Sequence, residues 1–159
     1  MHMPELPLID RIKIVNEMLG PIVKELEAEL GIERAHGLVR RGASARFREL
    51  ARQAMSDSDG NVAVAMRATQ TGVRPGVDLD VDVKELSADA FDMDVTGCVY
   101  ARFFQEIGEP ELGFLLVCSA DFDFVEELPG VELTRTETIM QGSDRCDFRY
   151  RFLDVTGNE

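Results

Sequence analysis

Apolar residues recur at helical spacing through the first part of the chain. Leu8, Ile12, Val15, Leu19, Ile22, Val23, Leu26 and Leu30 trace one face of a helix over residues 8–31. Gly20 and Pro21 fall inside that pattern and predict a kink or a break, because proline has no amide N–H and its ring crowds the preceding turn. Gly31 is suited to cap the end. A second helix over residues 33–55 carries Leu38, Val39, Phe47, Leu50, Ala51 and Ala54 on one side. Its other side, in RRGASARFRELAR, is basic and reads as a solvated face, with an anion- or partner-binding patch as the functional alternative. SDSDGN is a turn, and Asn61 is placed to cap a short helix reaching residue 71.

From residue 79 the period falls to two. Leu79, Val81 and Val83 alternate with Asp80, Asp82 and Lys84, and Phe91, Met93 and Val95 alternate with Asp92 and Asp94. Both runs predict half-buried strands with acidic, solvated outer faces. DLDVD lacks the central Gly and closing Glu of a calcium loop. Residues 98–108 return to helical spacing and stop on Gly108, and Pro110 opens a further helix, PELGFLLVCSAD. After a turn at LPG, residues 131–140 and 146–153 predict a closing hairpin through QGSD. This order implies an α+β fold: N-terminal helices plus a small antiparallel sheet of about four strands, with two helices inserted between the strand pairs. A chain of 159 residues fits one domain, with a helical part over 1–72 and an α+β part over 77–155.

Composition narrows the partners. Hydrophobic residues make up 45%, yet no apolar run approaches the ~20 residues of a membrane span, and the N-terminus shows no secretory pattern. A net charge of −13 repels phosphate backbones and anionic lipid, so neither nucleic acid nor membrane is an expected partner. A small-molecule substrate fits better, and an anionic one needs a local arginine. The apolar first helix is also suited to a homo-oligomer contact. An odd number of cysteines, three, argues against a disulfide framework and for a cytoplasmic setting. No two lie at C-x-x-C spacing, so no metal and no cofactor is expected.

The cysteines are the candidate chemistry. Cys146 shares the apolar face of the last strand with Phe148, Tyr150 and Phe152, while Asp147, Arg149 and Arg151 point the other way. Cys98 begins a helix, where unpaired amides and the positive dipole end favour a thiolate. Cys118 lies late in its helix, where the dipole works against a thiolate, but Asp121 follows three residues on and lies within reach as a proton acceptor or donor. His36 sits mid-helix, far in sequence from any cysteine. Arg135 falls on the apolar face of its strand with Val131, Leu133 and Ile139, so it either pairs with a carboxylate such as Glu137 or faces a pocket; Thr136 and Thr138 lie on the opposite face.

Together, GCVYARFFQEIGEPELGFLLVCSADFD and RTETIMQGSDRCDFRYRF resemble the L-2-amino-thiazoline-4-carboxylic acid hydrolase family. The resemblance runs through the helix start at 98–101, the Cys118-x-x-Asp121 element, the strand at 135–138 and the turn and strand at 142–148, covering the chain from about residue 90. Val99 departs from the family's usual proline, and Ser143 is inserted between Gly142 and Asp144. The resemblance implies a cysteine-dependent hydrolase that opens a small cyclic C–N/C–S substrate such as a 2-amino-thiazoline carboxylate. The implied catalytic set is Cys118, Asp121, Cys98 and Cys146, with Arg135, Thr136, Thr138 and Tyr100 as substrate-binding candidates. Asp121 beside it ranks Cys118 first as nucleophile, whereas the helix dipole prefers Cys98. The alternatives are a non-catalytic small-ligand or metal-binding module on the same scaffold, and organometal or thiol redox chemistry, since the Cys-Asp-Cys set is also similar to that of organomercurial lyases.

Overall fold

The computed structural model describes residues 6–67 and 73–153. Helices α1 (Leu8–Leu30) and α2 (Ile32–Asp57) pack together and are joined by Gly31 alone, whose φ of 81° suits glycine. The break expected at Gly20 and Pro21 does not occur: α1 runs on with Pro21 inside it. Pro21 is exposed, so water can take the carbonyl that loses its helical donor. The basic side of α2, expected to be solvated, docks on a later helix, α6 (Ala120–Val125). Arg40 pairs with buried Asp123, Arg48 with Glu126 and Arg52 with Glu127. Asn61 caps α3 (Val62–Arg67) by accepting from the Val64 amide at 3.1 Å; the rest of the helix expected to residue 71 lies outside the described residues.

Strands β1 (Leu79–Leu86), β2 (Ala90–Cys98), β3 (Val131–Thr134) and β4 (Cys146–Phe152) form one antiparallel sheet in the order β1-β2-β4-β3. Cross-strand pairs Phe91–Tyr150, Met93–Phe148 and Val95–Cys146 set the apolar face. The acidic outer face expected to be solvated is so on β1, where Asp80 and Asp82 are exposed, but on β2 it is an ion-pair ladder. Asp92 pairs with Arg151, and Asp94 with Arg149 at 2.7 Å and Arg145 at 3.3 Å. The arginines of β4 stand opposite the aspartates of β2, a match that either strand alone conceals.

Between the strand pairs lie α4 (Val99–Glu106), α5 (Pro110–Gly113), a π-helical turn (Phe114–Cys118) and α6. The single helix expected from Pro110 is therefore broken in character, and Cys118 sits in the middle of the run rather than near its end. Gly113 is required by contact: a Cβ there would lie 2.5 Å from Phe104 and 2.6 Å from the Met140 sulfur. The closing hairpin is also shorter than expected. Strand β3 stops at Thr134, and a short 3-10 turn spans Ile139–Gln141. Asp147 takes the amides of Thr136 and Glu137, replacing the ladder bonds that would have extended the strand. One core packs α1 against α4 and α5 through Ile9, Val23, Phe104, Leu112 and Met140; the other packs α2, α3 and α6 on the sheet through Ala51, Ala65, Phe124 and Tyr150. Among the described residues no helix is long and apolar enough to cross a membrane.

Candidate functional site

Three local features carry the cysteines to the seam between the two cores. Cys98 ends β2 and is the N-cap of α4, its Sγ accepting from the Ala101 amide at 3.4 Å. Cys146 opens β4 opposite Val95, and its Sγ accepts from the Ile139 amide at 3.3 Å. Cys118 closes the π-helical turn, a form that recurs at functional sites, and Asp121 follows in α6. The three thiols lie within electrostatic reach of one another and of Asp121.

Arg135 ties this group together. Its side chain is only 2% exposed. The guanidinium lies over the Phe122 ring at 4.9 Å and the Phe148 ring at 5.0 Å. Nη1 donates to Asp121 Oδ2 at 2.7 Å and Nη2 to the Cys118 carbonyl at 2.7 Å, while Nε has no partner. The carboxylate beside Arg135 is thus Asp121, not Glu137, which pairs with Arg145 at 2.8 Å. Thr136 donates its hydroxyl to Asp147 Oδ2 at 2.6 Å, and buried Thr138 caps the 3-10 turn by accepting from the Gln141 amide at 3.2 Å. Both hold the strap over residues 135–138. Tyr100 is buried, with its hydroxyl unpartnered and pushed up to about 12, chiefly by burial.

Electrostatics separate the thiols. Burial pushes Cys118 up to about 12; the Arg135 charge opposes this, and Asp121 and the other two thiols add to it. Burial also raises Cys98 and Cys146, but each is partly offset by a backbone amide on the sulfur, and Cys98 further by Arg102. Burial lifts Asp121 to about 6 in spite of Arg135. Its side chain nevertheless keeps 32% of its surface accessible, which places it at the mouth of the group.

Among the described residues no three His, Cys, Asp or Glu side chains converge to hold a metal ion. His36 is taken by Glu27 at 2.7 Å. An open cleft of about 500 Å³ is lined by His36, Gln105, Phe114, Leu115 and Met140 among others, and none of the three cysteines, Asp121 or Arg135 is among its lining residues.

The model for L-2-amino-thiazoline-4-carboxylic acid hydrolase matches residues 11–150. The chain belongs to that family. The match extends through α1 and α2, which the quoted motifs did not reach, so the helical half is part of the hydrolase family's architecture. A comparison with curated proteins finds no match. Among solved structures, the fold is similar to the phenol-responsive sensory domain of the transcription activator PoxR with phenol, at 17% identity and a TM-score of 0.52, over 84% of this chain and 72% of that one. It is also similar to trafficking protein particle complex subunit 3 from Naegleria fowleri covalently bound to palmitic acid, at 14% identity and a TM-score of 0.46, over 89% and 97% of the two chains.

Two residues at this site escaped the reading of the sequence. Asp147 counted as an outward strand residue; it is buried and organises the strap. Arg102 had a signal, its position four residues after Cys98 on one helix face.

Proposed function

We propose that this member of the hydrolase family is a cysteine-dependent hydrolase that opens a small cyclic isothiourea, with Cys98 as nucleophile and Asp121 as acid and base. One observation carries the reading: a carboxyl held near 6 and partly accessible stands among three thiols. A group that titrates close to neutrality exchanges protons readily in both directions. Cys98 is preferred over Cys118 because its sulfur receives an amide hydrogen bond and the Arg102 charge, whereas Cys118 is pushed to about 12.

The steps balance as follows. The Cys98 proton passes to Asp121 while the sulfur adds to the electrophilic carbon of the ring, and the C=N electron pair moves onto nitrogen. That pair re-forms the C=N bond as the bond from carbon to the ring sulfur breaks, and Asp121 returns the proton to the departing sulfur. The product on the enzyme is an S-substituted isothiourea. Water then adds across its C=N bond, the oxygen to carbon and one proton to nitrogen. As the remaining O–H gives its proton to Asp121, the carbonyl forms and the bond to Cys98 breaks. Asp121 passes that proton to the sulfur, and an N-carbamoyl cysteine leaves. Arg135 positions Asp121 by holding Oδ2, which leaves Oδ1 for proton transfer. No metal and no cofactor enters this scheme, and free thiols suit a reducing cytoplasm.

The test is release of free thiol from 2-amino-thiazoline-4-carboxylate, with intact-mass detection of the adduct on Cys98. Loss of release in Cys98→Ser and Asp121→Asn, with release retained in Cys146→Ser, supports the reading. Absence of both release and adduct in the native protein overturns it. The upward shift of all three thiols favours a second reading, a non-catalytic module that binds a small ligand in the cleft beside Phe114 and Met140. Binding of the intact thiazoline with no turnover supports that one.

A further inference from the structure

Of the cationic side chains near the thiols, Arg135 is already committed to Asp121 and the Cys118 carbonyl. It is also buried against two rings, which leaves only its buried Nε without a partner. Arg102 differs on each count. It lies on α4, four residues after Cys98, and is exposed. Cys98 is the N-cap of that helix, its sulfur folds over the first turn onto the amide of Ala101, the residue before Arg102, and the Arg102 charge is felt at the sulfur. Among the described residues Arg102 has no ion-pair partner, and Glu106, one turn further on, forms no bridge with it. Most other arginines near the sheet and α6 are paired: Arg40, Arg48, Arg52, Arg145, Arg149 and Arg151 each hold a carboxylate.

Charge counting makes Arg102 conspicuous. Asp121 and Arg135 pair with each other, and Arg102 adds an unpaired positive charge that reaches Cys98 on a chain of net charge −13. An unpaired arginine beside a nucleophile on an acidic protein is placed to gather a carboxylate that the rest of the surface repels. We propose that Arg102 is the specificity-determining residue of this site, binding the carboxylate of an anionic substrate and setting its reactive carbon against Cys98. The assignment rests on the hydrolase reading for the identity of the substrate, but the anion preference is a property of the site itself.

The experiment uses two alkylating agents that differ in charge. Iodoacetate carries a carboxylate; iodoacetamide is its neutral counterpart. Alkylation of Cys98 in the full-length protein is followed at pH 8.5 by peptide mass spectrometry, and the ratio of the two rates is taken for native protein, Arg102→Ala and Arg102→Lys. The ratio cancels any change in thiolate fraction, because both reagents draw on the same thiolate. Arg102→Ala should lower it by about two- to fivefold, the upper range of a single exposed charge contact, and Arg102→Lys should restore at least half of the loss. An unchanged ratio in Arg102→Ala, or a Cys98 that reacts with neither reagent in the folded protein, overturns the proposal. With turnover, Arg102→Ala should raise KM for the thiazoline carboxylate by about two- to fivefold and leave the decarboxylated 2-amino-thiazoline unaffected. A native protein that prefers iodoacetate and never opens the ring would refute the hydrolase reading and leave the carboxylate site standing; turnover with no charge preference would do the reverse.

Discussion

Replacing Asp121 by Asn should stabilise the protein at neutral pH, even though it removes one half of a buried ion pair. The Asp121 carboxyl is raised from 3.8 to about 6, chiefly by burial, so burial outweighs the help from Arg135. A group whose pKa is higher in the folded state than in the unfolded state binds more protons when folded. Its contribution to stability is fully present below the unfolded value and is lost as pH rises through the folded one. A shift of about two units corresponds to roughly 3 kcal/mol in all. About two-thirds of that falls between pH 4.5 and 7.5. Solvent at the accessible third of the side chain trims it further, to about 1–2 kcal/mol. Asn keeps the shape and the acceptor for Arg135 and does not titrate. The assay is urea unfolding of native protein and Asp121→Asn at both pH values. The stability difference between the two proteins should move in favour of Asn by about 1–2 kcal/mol on going from pH 4.5 to 7.5, since every other titrating group cancels. A flat difference, or one that moves toward Asp, refutes the claim that burial dominates at this carboxyl. Arg135→Met tests the partner: Asp121 loses its cation and two ring contacts disappear, with an expected loss of about 2–4 kcal/mol at pH 7.5.

Gly113→Ala should cost about 2–3 kcal/mol in the same assay, because the new methyl meets Phe104 and Met140 at 2.5–2.6 Å inside the core. Tyr100→Phe should be neutral or stabilising by up to about 1 kcal/mol, since the buried hydroxyl has no partner to lose; a fall in thiol release without a fall in stability would assign that hydroxyl to the substrate. Asp147→Ala should cost about 2–4 kcal/mol through the amides of Thr136 and Glu137 and the Thr136 hydroxyl. Burial raises the Asp147 carboxyl, but the hydrogen bonds from Thr136 and Glu137 outweigh it and hold the value low. The deficit should therefore appear above the unfolded value near 4 and shrink as pH falls through the lower folded value, read by urea unfolding at pH 3 and pH 6.

Much of this architecture is legible in one dimension because it obeys local periodicity. The switch from helical spacing to strict alternation at Leu79 marks the sheet, and Phe148 and Tyr150 fall on the face that alternation assigns them. What escapes is every feature decided by a partner remote in sequence. The arginines of α2 look solvated because the acids that receive them, Asp123, Glu126 and Glu127, come some 75 or more residues later. Asp147 sits where alternation turns it outward, and only the strap folding back toward it makes it a buried acceptor. Arg135 reads correctly as an arginine on an apolar face, yet its true partner belongs to the Cys118–Asp121 element, and proximity along the chain pointed to Glu137 instead. The closeness of Cys118 to Asp121 is visible in the sequence, whereas the desolvation that pushes its thiol to about 12 is not.

That desolvation bears on the proposed mechanism, in which a thiol shifted upward by burial must still supply the nucleophile. Burial is the main reason the Cys98 thiol is raised, with a smaller contribution from the Asp121 charge, so a resting thiolate there is disfavoured. A cyclic isothiourea, however, is a base that carries a proton on its ring near neutral pH. Once its carboxylate lies on Arg102, the ring brings a positive charge against the sulfur, supplying the stabilisation of thiolate that the empty site withholds. Proton transfer from Cys98 to Asp121 then becomes favourable only in the complex. On this argument a cationic ring raises the reactivity of Cys98 above the slow rate of the empty site, so a neutral ring analogue of the same shape should bind and be attacked far more slowly.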